Sequence, residues 1–201
     1  MPPRPDVSEE RREQILEAAG TVFARMGVRD ARMDDIVSEA SLSKGGVYWY
    51  FKSKDELVAA FIERLLARSV EDLRQFLASD QPFAQRMFAV AHYVAADFRG
   101  SKLRGVVLEF YGLAARDAQV RRRVRAYLDR FIELFAAMIA QAIERGECRP
   151  VDPHKTATAI EATYEGLTLL WLLDTTGFQV DEMIAHATEL LLNSLRPAAN
   201  A

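Results

Sequence analysis

The stretch Ser43-Lys44-Gly45-Gly46-Val47-Tyr48-Trp49-Tyr50-Phe51 puts two glycines ahead of four consecutive aromatic residues. Read as a helix, successive residues turn by about 100° around the axis. Val47 and Phe51 then share a face and are the natural core contacts. Tyr48, Trp49 and Tyr50 cannot all join them, so some of these rings are expected to face outward.

The flanking charge indicates what such rings would meet. From Ser41 to Lys54 there are three lysines, Lys44, Lys52 and Lys54, and no acid; acids resume at Asp55 and Glu56. Gly45 and Gly46 fall in the first helical turn, where backbone N–H groups lack helical partners and where a missing side chain lets a phosphate backbone come close. The Tyr48 and Tyr50 hydroxyls can donate to phosphates, and Trp49 can lie against a sugar or a base edge. This pattern describes a recognition helix for DNA. The competing reading takes the short aromatic helix as core and the lysines as a solvated edge. Two glycines each cost about 1 kcal/mol of helix propensity, which a purely structural helix does not need.

Working outward, a helix is expected from about Ser8 to Met26, with Ser8 as N-cap, Ile15, Leu16, Ala19, Phe23 and Met26 as its apolar stripe, and Gly27 as its end. A short helix from about Met33 to Ala40 and a tight connection at Ser41-Leu42 lead to the helix capped by Ser43, giving a helix-turn-helix over 32–51. Further helices are expected from Lys54 towards Ala78 and at 82–99, 102–114, 117–146, 153–175 and 180–195, with no alternating strand pattern. The fold class is all-α, about nine helices. Several later helices are apolar over most of their circumference, so they must be enclosed or shared with a partner.

The bulk numbers exclude several classes. The 201 residues are half hydrophobic with a net charge of -3, so any nucleic-acid reading must rest on local placement. The one cysteine, Cys148, allows no internal disulfide, no apolar run is long enough to span a membrane, and the N-terminus lacks a signal-peptide core, so a cytoplasmic protein is expected. His92, His154 and His186 are far apart in sequence, and no metal or catalytic constellation is evident; neither enzyme activity nor a cofactor is expected. Cys148 reads as an inert thiol near a helix end or as a redox sensor. Arg121, Arg122, Arg123 and Arg125 read as the solvated side of their helix or as a second basic patch.

The block 15–61, ILEAAGTVFARMGVRDARMDDIVSEASLSKGGVYWYFKSKDELVAAF, resembles the DNA-binding domain of TetR/AcrR-type transcriptional regulators. The resemblance is carried by Phe23 and Gly27, Asp35-Ile36, the run from Ser43 to Phe51, and Lys52 to Leu57. It implies a three-helix head at 9–69 and a helical ligand-binding and dimerisation domain at 70–201. It also implies that Lys44, Tyr48, Trp49 and Tyr50 meet DNA, that Gly45 permits close approach, and that Lys54 touches phosphate. Arg32 stands where the family usually has a capping Thr or Ser; arginine can contact phosphate but cannot accept the capping hydrogen bond. Ser41 replaces the usual turn glycine, so a turn that is strained or slightly different is expected there. Residues 108–131, LEFYGLAARDAQVRRRVRAYLDRF, resemble in pattern the C-terminal domain of regulators similar to the choline-responsive repressor, without naming a ligand.

The resemblance further implies a homodimer through the last two helices. Ile184, Ala187, Leu191 and Leu195 make one stripe, widened by Leu190 and Leu192, and Ala157, Ala159, Ala162 and Gly166 would allow close helix approach. An effector pocket is implied behind the head, with Phe61, Phe88, His92, Phe110, Tyr111, Phe131, Phe135, Met138, Tyr164 and Trp171 as candidate walls. Glu109 and Glu165 are expected to pair with arginines or to hold a cationic ligand. The function implied is a ligand-responsive regulator that binds double-stranded operator DNA and is released as a repressor by a small molecule. The alternative is a helical binding or interaction module that keeps the head without specific DNA binding.

Overall fold

Gly27 interrupts the first helix instead of ending it. In the computed structural model, which describes residues 7–77, 79–100, 103–174 and 176–198, α1 spans Val7–Asp30 with Gly27 at φ 81°, ψ 160°. A side chain is strongly disfavoured in that conformation, so the residue type sets the break. One more turn follows, closed by Ala31 N–H donating to the Gly27 carbonyl at 3.3 Å. Residues 1–6 and the expected helix ends Ala78, Lys102 and Thr175 lie outside the described residues.

The other helices among the described residues are α2 (Met33–Glu39), α3 (Lys44–Tyr50), α4 (Lys54–Leu77), α5 (Phe83–Gly100), α6 (Arg104–Ala114), α7 (Ala118–Glu144), α8 (Pro153–Leu173) and α9 (Val180–Leu195). Their order and extent follow the helical periodicity closely. The described residues form two compact units. The first comprises the residues through Leu66 together with Leu103 to Val124, so α6 and the start of α7 group with the first helices. The second comprises Ala67 to Gly100 and the residues from Arg125 onward.

The core of the first unit is built from Ile15, Leu16, Ala19, Val22 and Phe23 of α1, Ile36, Val47, Phe51, Leu57, Phe61 and Ile62, with Val106 and Phe110 of α6. Phe23 meets Phe61 edge to face at 5.3 Å between centroids, and Phe61 lies 6.3 Å from Phe110. Each large buried side chain contributes roughly 1.5–3 kcal/mol. Met26, expected on the apolar stripe, is exposed because Gly27 turns the chain away just beyond it.

In the second unit Phe83, Met87, Val90, Phe135, Met138, Ile139, Ile160, Tyr164, Ile184 and Leu195 form one continuous core. Asp152 caps α8 by accepting from Lys155 N–H at 3.0 Å, with Pro153 in the first turn. The Tyr164 hydroxyl and Thr188 Oγ1, buried together, are 2.9 Å apart and tie α8 to α9. The stripe expected to face a partner is turned inward. Ile184 and Leu195 are buried, and Ala187 and Leu191 pack against the same core. Among the described residues, the large apolar side chains exposed on these helices are Leu169, Leu170 and Leu173 of α8 and Met183 and Leu190 of α9. A helical face read from spacing alone does not say which neighbour it meets.

Candidate nucleic-acid interface

The geometry of α3 begins with Ser43, whose Oγ accepts from Gly46 N–H at 3.1 Å. One of the two glycine N–H groups is therefore used inside the protein. A Cβ on Gly46 would lie 3.2 Å from that same Oγ, so this glycine serves the cap. Gly45 is different: a Cβ there would meet nothing within 4 Å. Nothing within the described fold requires Gly45 to lack a side chain.

Val47 is fully buried and Phe51 is 2% exposed, which anchors α3 by the face expected. Trp49 is 65% exposed and points away from the core, its ring edge to face with Tyr50 at 4.6 Å. Tyr48 and Tyr50 are half-buried. Lys44 is exposed, with its ammonium 5.9 Å from the Tyr48 ring centroid and 2.7 Å from Asp34 Oδ1. The hydrogen bond and charge of Asp34 raise the Lys44 ammonium above its ordinary pKa. Lys52 Nζ donates to the Tyr48 and Trp49 carbonyls at 2.9 and 3.0 Å, closing the C-terminus of α3. Lys54 is half-buried and its Nζ donates to the Arg29 carbonyl at 2.8 Å.

Arg32 is exposed and begins α2 in an extended conformation without capping it. The start is secured from the other side, where Asp35 Oδ2 accepts from Arg32 N–H at 2.8 Å. The departure at Arg32 therefore leaves α2 intact. At Ser41 the expected strain is present: it has φ 54°, the left-handed region that glycine enters freely.

The ten candidate pocket residues are distributed over both units. Phe61 and Phe110 are buried in the first unit and Tyr111 is half-buried there. In the second unit Phe131, Phe135, Met138 and Tyr164 are buried, Phe88 and Trp171 are half-buried, and His92 is exposed. Phe88 also lines a cleft of about 410 Å³ with Pro82, Phe83, Leu192 and Arg196. Glu109 Oε2 accepts from Val28 N–H at 2.7 Å, satisfying a group freed by the break at Gly27. Sequence reading missed this role because Val28 lies 81 positions away.

Other groups raised by the sequence have local explanations. Arg123 pairs with Glu63, Arg125 pairs with Asp129 at 2.8 Å, and Arg121 donates to the Ala114 carbonyl at 3.1 Å. Cys148 is buried, and burial pushes its thiol pKa up, away from the reactive thiolate. Glu161, not singled out by the sequence, is a buried carboxyl on α8, one turn from Glu165.

Comparison with known proteins agrees with this geometry. Residues 15–61 match the family model of bacterial regulatory proteins of the tetR family, and residues 83–196 match the model of the BetI-type transcriptional repressor C-terminal domain. The HTH-type transcriptional regulator YfiR of Bacillus subtilis is 31% identical over 153 residues, covering 74% of this chain and 73% of the relative. The HTH-type transcriptional repressor BepR of Brucella suis is 26% identical over 200 residues, covering 95% and 94%. In fold, a TetR transcription regulator from Haloarcula marismortui superposes with a TM-score of 0.85 at 19% identity, covering 94% of this chain and all of that one. A regulator from Saccharomonospora viridis crystallised with choline gives 0.81 at 22% identity, with coverage of 94% and 100%. The head and the C-terminal domain match those of DNA-binding transcriptional repressors. The chain belongs to the TetR family of bacterial transcriptional regulators.

Proposed function

We propose that α3 is the recognition helix, and that Lys44, Gly45, Tyr48, Trp49 and Tyr50 meet operator DNA while Arg32 and Lys54 meet flanking phosphates. The observation that carries this reading is the exposure of Trp49 on a helix anchored by buried Val47 and Phe51. Gly45 supports it, because no contact inside the protein calls for glycine there. The head is residues 9–69, and the remainder to 201 senses a ligand and dimerises.

The protein acts in the cytoplasm as a homodimer through α8 and α9. The exposed leucines 169, 170, 173 and 190 support that contact, since apolar groups on adjoining helices favour burial by a second copy. Two heads must sit about 34–36 Å apart to enter successive major grooves. An effector that prefers a conformer with another spacing weakens operator binding by linkage. A thousandfold loss requires a differential of about 4 kcal/mol.

The test is fluorescence anisotropy with duplex DNA from upstream of the protein's own gene and with random duplex, across a salt series. Lys54→Ala is expected to weaken both similarly and to reduce the salt slope by about 1, whereas Trp49→Ala also changes the preferred site. Equal effects of both substitutions on both duplexes would refute the assignment. Absence of any salt-dependent binding would favour the interaction-module reading.

A further inference from the structure

Of the three lysines between Ser41 and Lys54, Lys44 differs from the others in what its ammonium meets. Lys52 and Lys54 donate to backbone carbonyls, which are neutral, so each keeps its net charge. Lys44 Nζ lies 2.7 Å from a carboxylate, Asp34 Oδ1, with the two side chains 64% and 69% exposed. Asp34 sits in the first turn of α2 and reaches Lys44 at the start of α3 only because the two helices pack together. The acid-free window read from the sequence is thus not acid-free in space.

Building on the reading that α3 meets DNA, we propose that Asp34 sets the protein's general affinity for duplex DNA by competing with the phosphate backbone for Lys44. Affinity for any duplex comes largely from cations that neutralise phosphates and release condensed counterions. A lysine already neutralised by a carboxylate contributes little to that release. Moving Lys44 to a phosphate also leaves the Asp34 charge beside a polyanion. Both penalties are independent of base sequence, so Asp34 weakens operator and non-specific binding alike. A weaker general term matters in a genome, where non-specific sites vastly outnumber operators. The exposed pair adds little to stability, but it lowers the charge that α3 presents to DNA.

The experiment uses the full-length protein, with anisotropy on upstream and random duplexes over a salt series. Asp34→Asn and Asp34→Ser are expected to bind both duplexes about 3–10-fold tighter near ~0.1 M salt, with a log–log slope steeper by about 1. Lys44→Met should abolish the gain in the Asp34→Asn background and change the slope far less in the parent protein. Serine keeps a residue suited to a helix start, so failure of α2 to form does not account for a shared result. Unchanged or weaker binding with an unchanged slope in both variants overturns the proposal. If the parent protein binds DNA and the variants match it, the Asp34 proposal alone falls. If the parent protein binds no duplex, the recognition-helix reading falls as well.

Discussion

Replacing Glu161 with glutamine should remove a pH dependence from the stability of the second unit. Glu161 is 8% exposed, and no hydrogen-bond donor to it is present among the described residues. Burial first, and then the negative charge of Glu165, push its carboxyl up from 4.5 to about 8. In the unfolded chain the proton leaves near the ordinary value; in the folded chain it stays until about pH 8. Between those limits the folded state holds one more proton, so stability falls as pH rises, by about 1.4 kcal/mol per pH unit. Below the unfolded value the penalty is absent, and above about pH 8 it no longer grows. Between about pH 6 and about pH 7.5 the loss is about 2 kcal/mol, or roughly 4–8 °C in Tm for a chain of this size. The neutral amide of Glu161→Gln stands in for the protonated acid. The variant should match the parent below about pH 4.5 and exceed it at higher pH, its advantage growing by about 2 kcal/mol between about pH 6 and about pH 7.5. Thermal unfolding followed by circular dichroism at both pH values reads this directly. Parallel pH profiles for parent and variant would refute the reasoning.

Two further substitutions separate folding from binding in the head. Gly45→Ala meets no neighbour within 4 Å, so it should leave the fold intact and stabilise it by up to roughly 1 kcal/mol through helix propensity, while weakening duplex binding. Chemical denaturation and anisotropy on the same preparation check both halves, and unchanged DNA affinity would count against close approach at this position. Ser41→Gly should relieve the left-handed strain at φ 54°. The strain costs about 1–2 kcal/mol, of which the added chain entropy of glycine cancels about 0.5–1, so a net gain of roughly 0.5–1 kcal/mol is expected in denaturant unfolding. A loss of stability there would show that the Ser41 side chain contributes more than its backbone costs.

Periodicity was enough to place the helices because each must present an apolar stripe to something, and that stripe is written in residue spacing. It placed Val47 and Phe51 inside and left some of the rings between them outside; the structure shows that Trp49 is the exposed one. The family resemblance singled out Arg32 and Ser41 as departures from its usual residues. Only Ser41 carries a backbone cost, because at Arg32 the Asp35 carboxylate accepts from the Arg32 N–H and secures the helix start by another bond.

Chain order alone left open everything that depends on a distant neighbour. Whether the α9 stripe meets its own unit or a second copy, that Glu109 serves Val28, that Glu161 is buried near Glu165, and that Asp34 neutralises Lys44 all depend on helix packing. Spacing states which side chains share a face of one helix. The partner of that face, and hence its charge, burial and hydrogen bonds, is set by close packing between segments far apart along the chain.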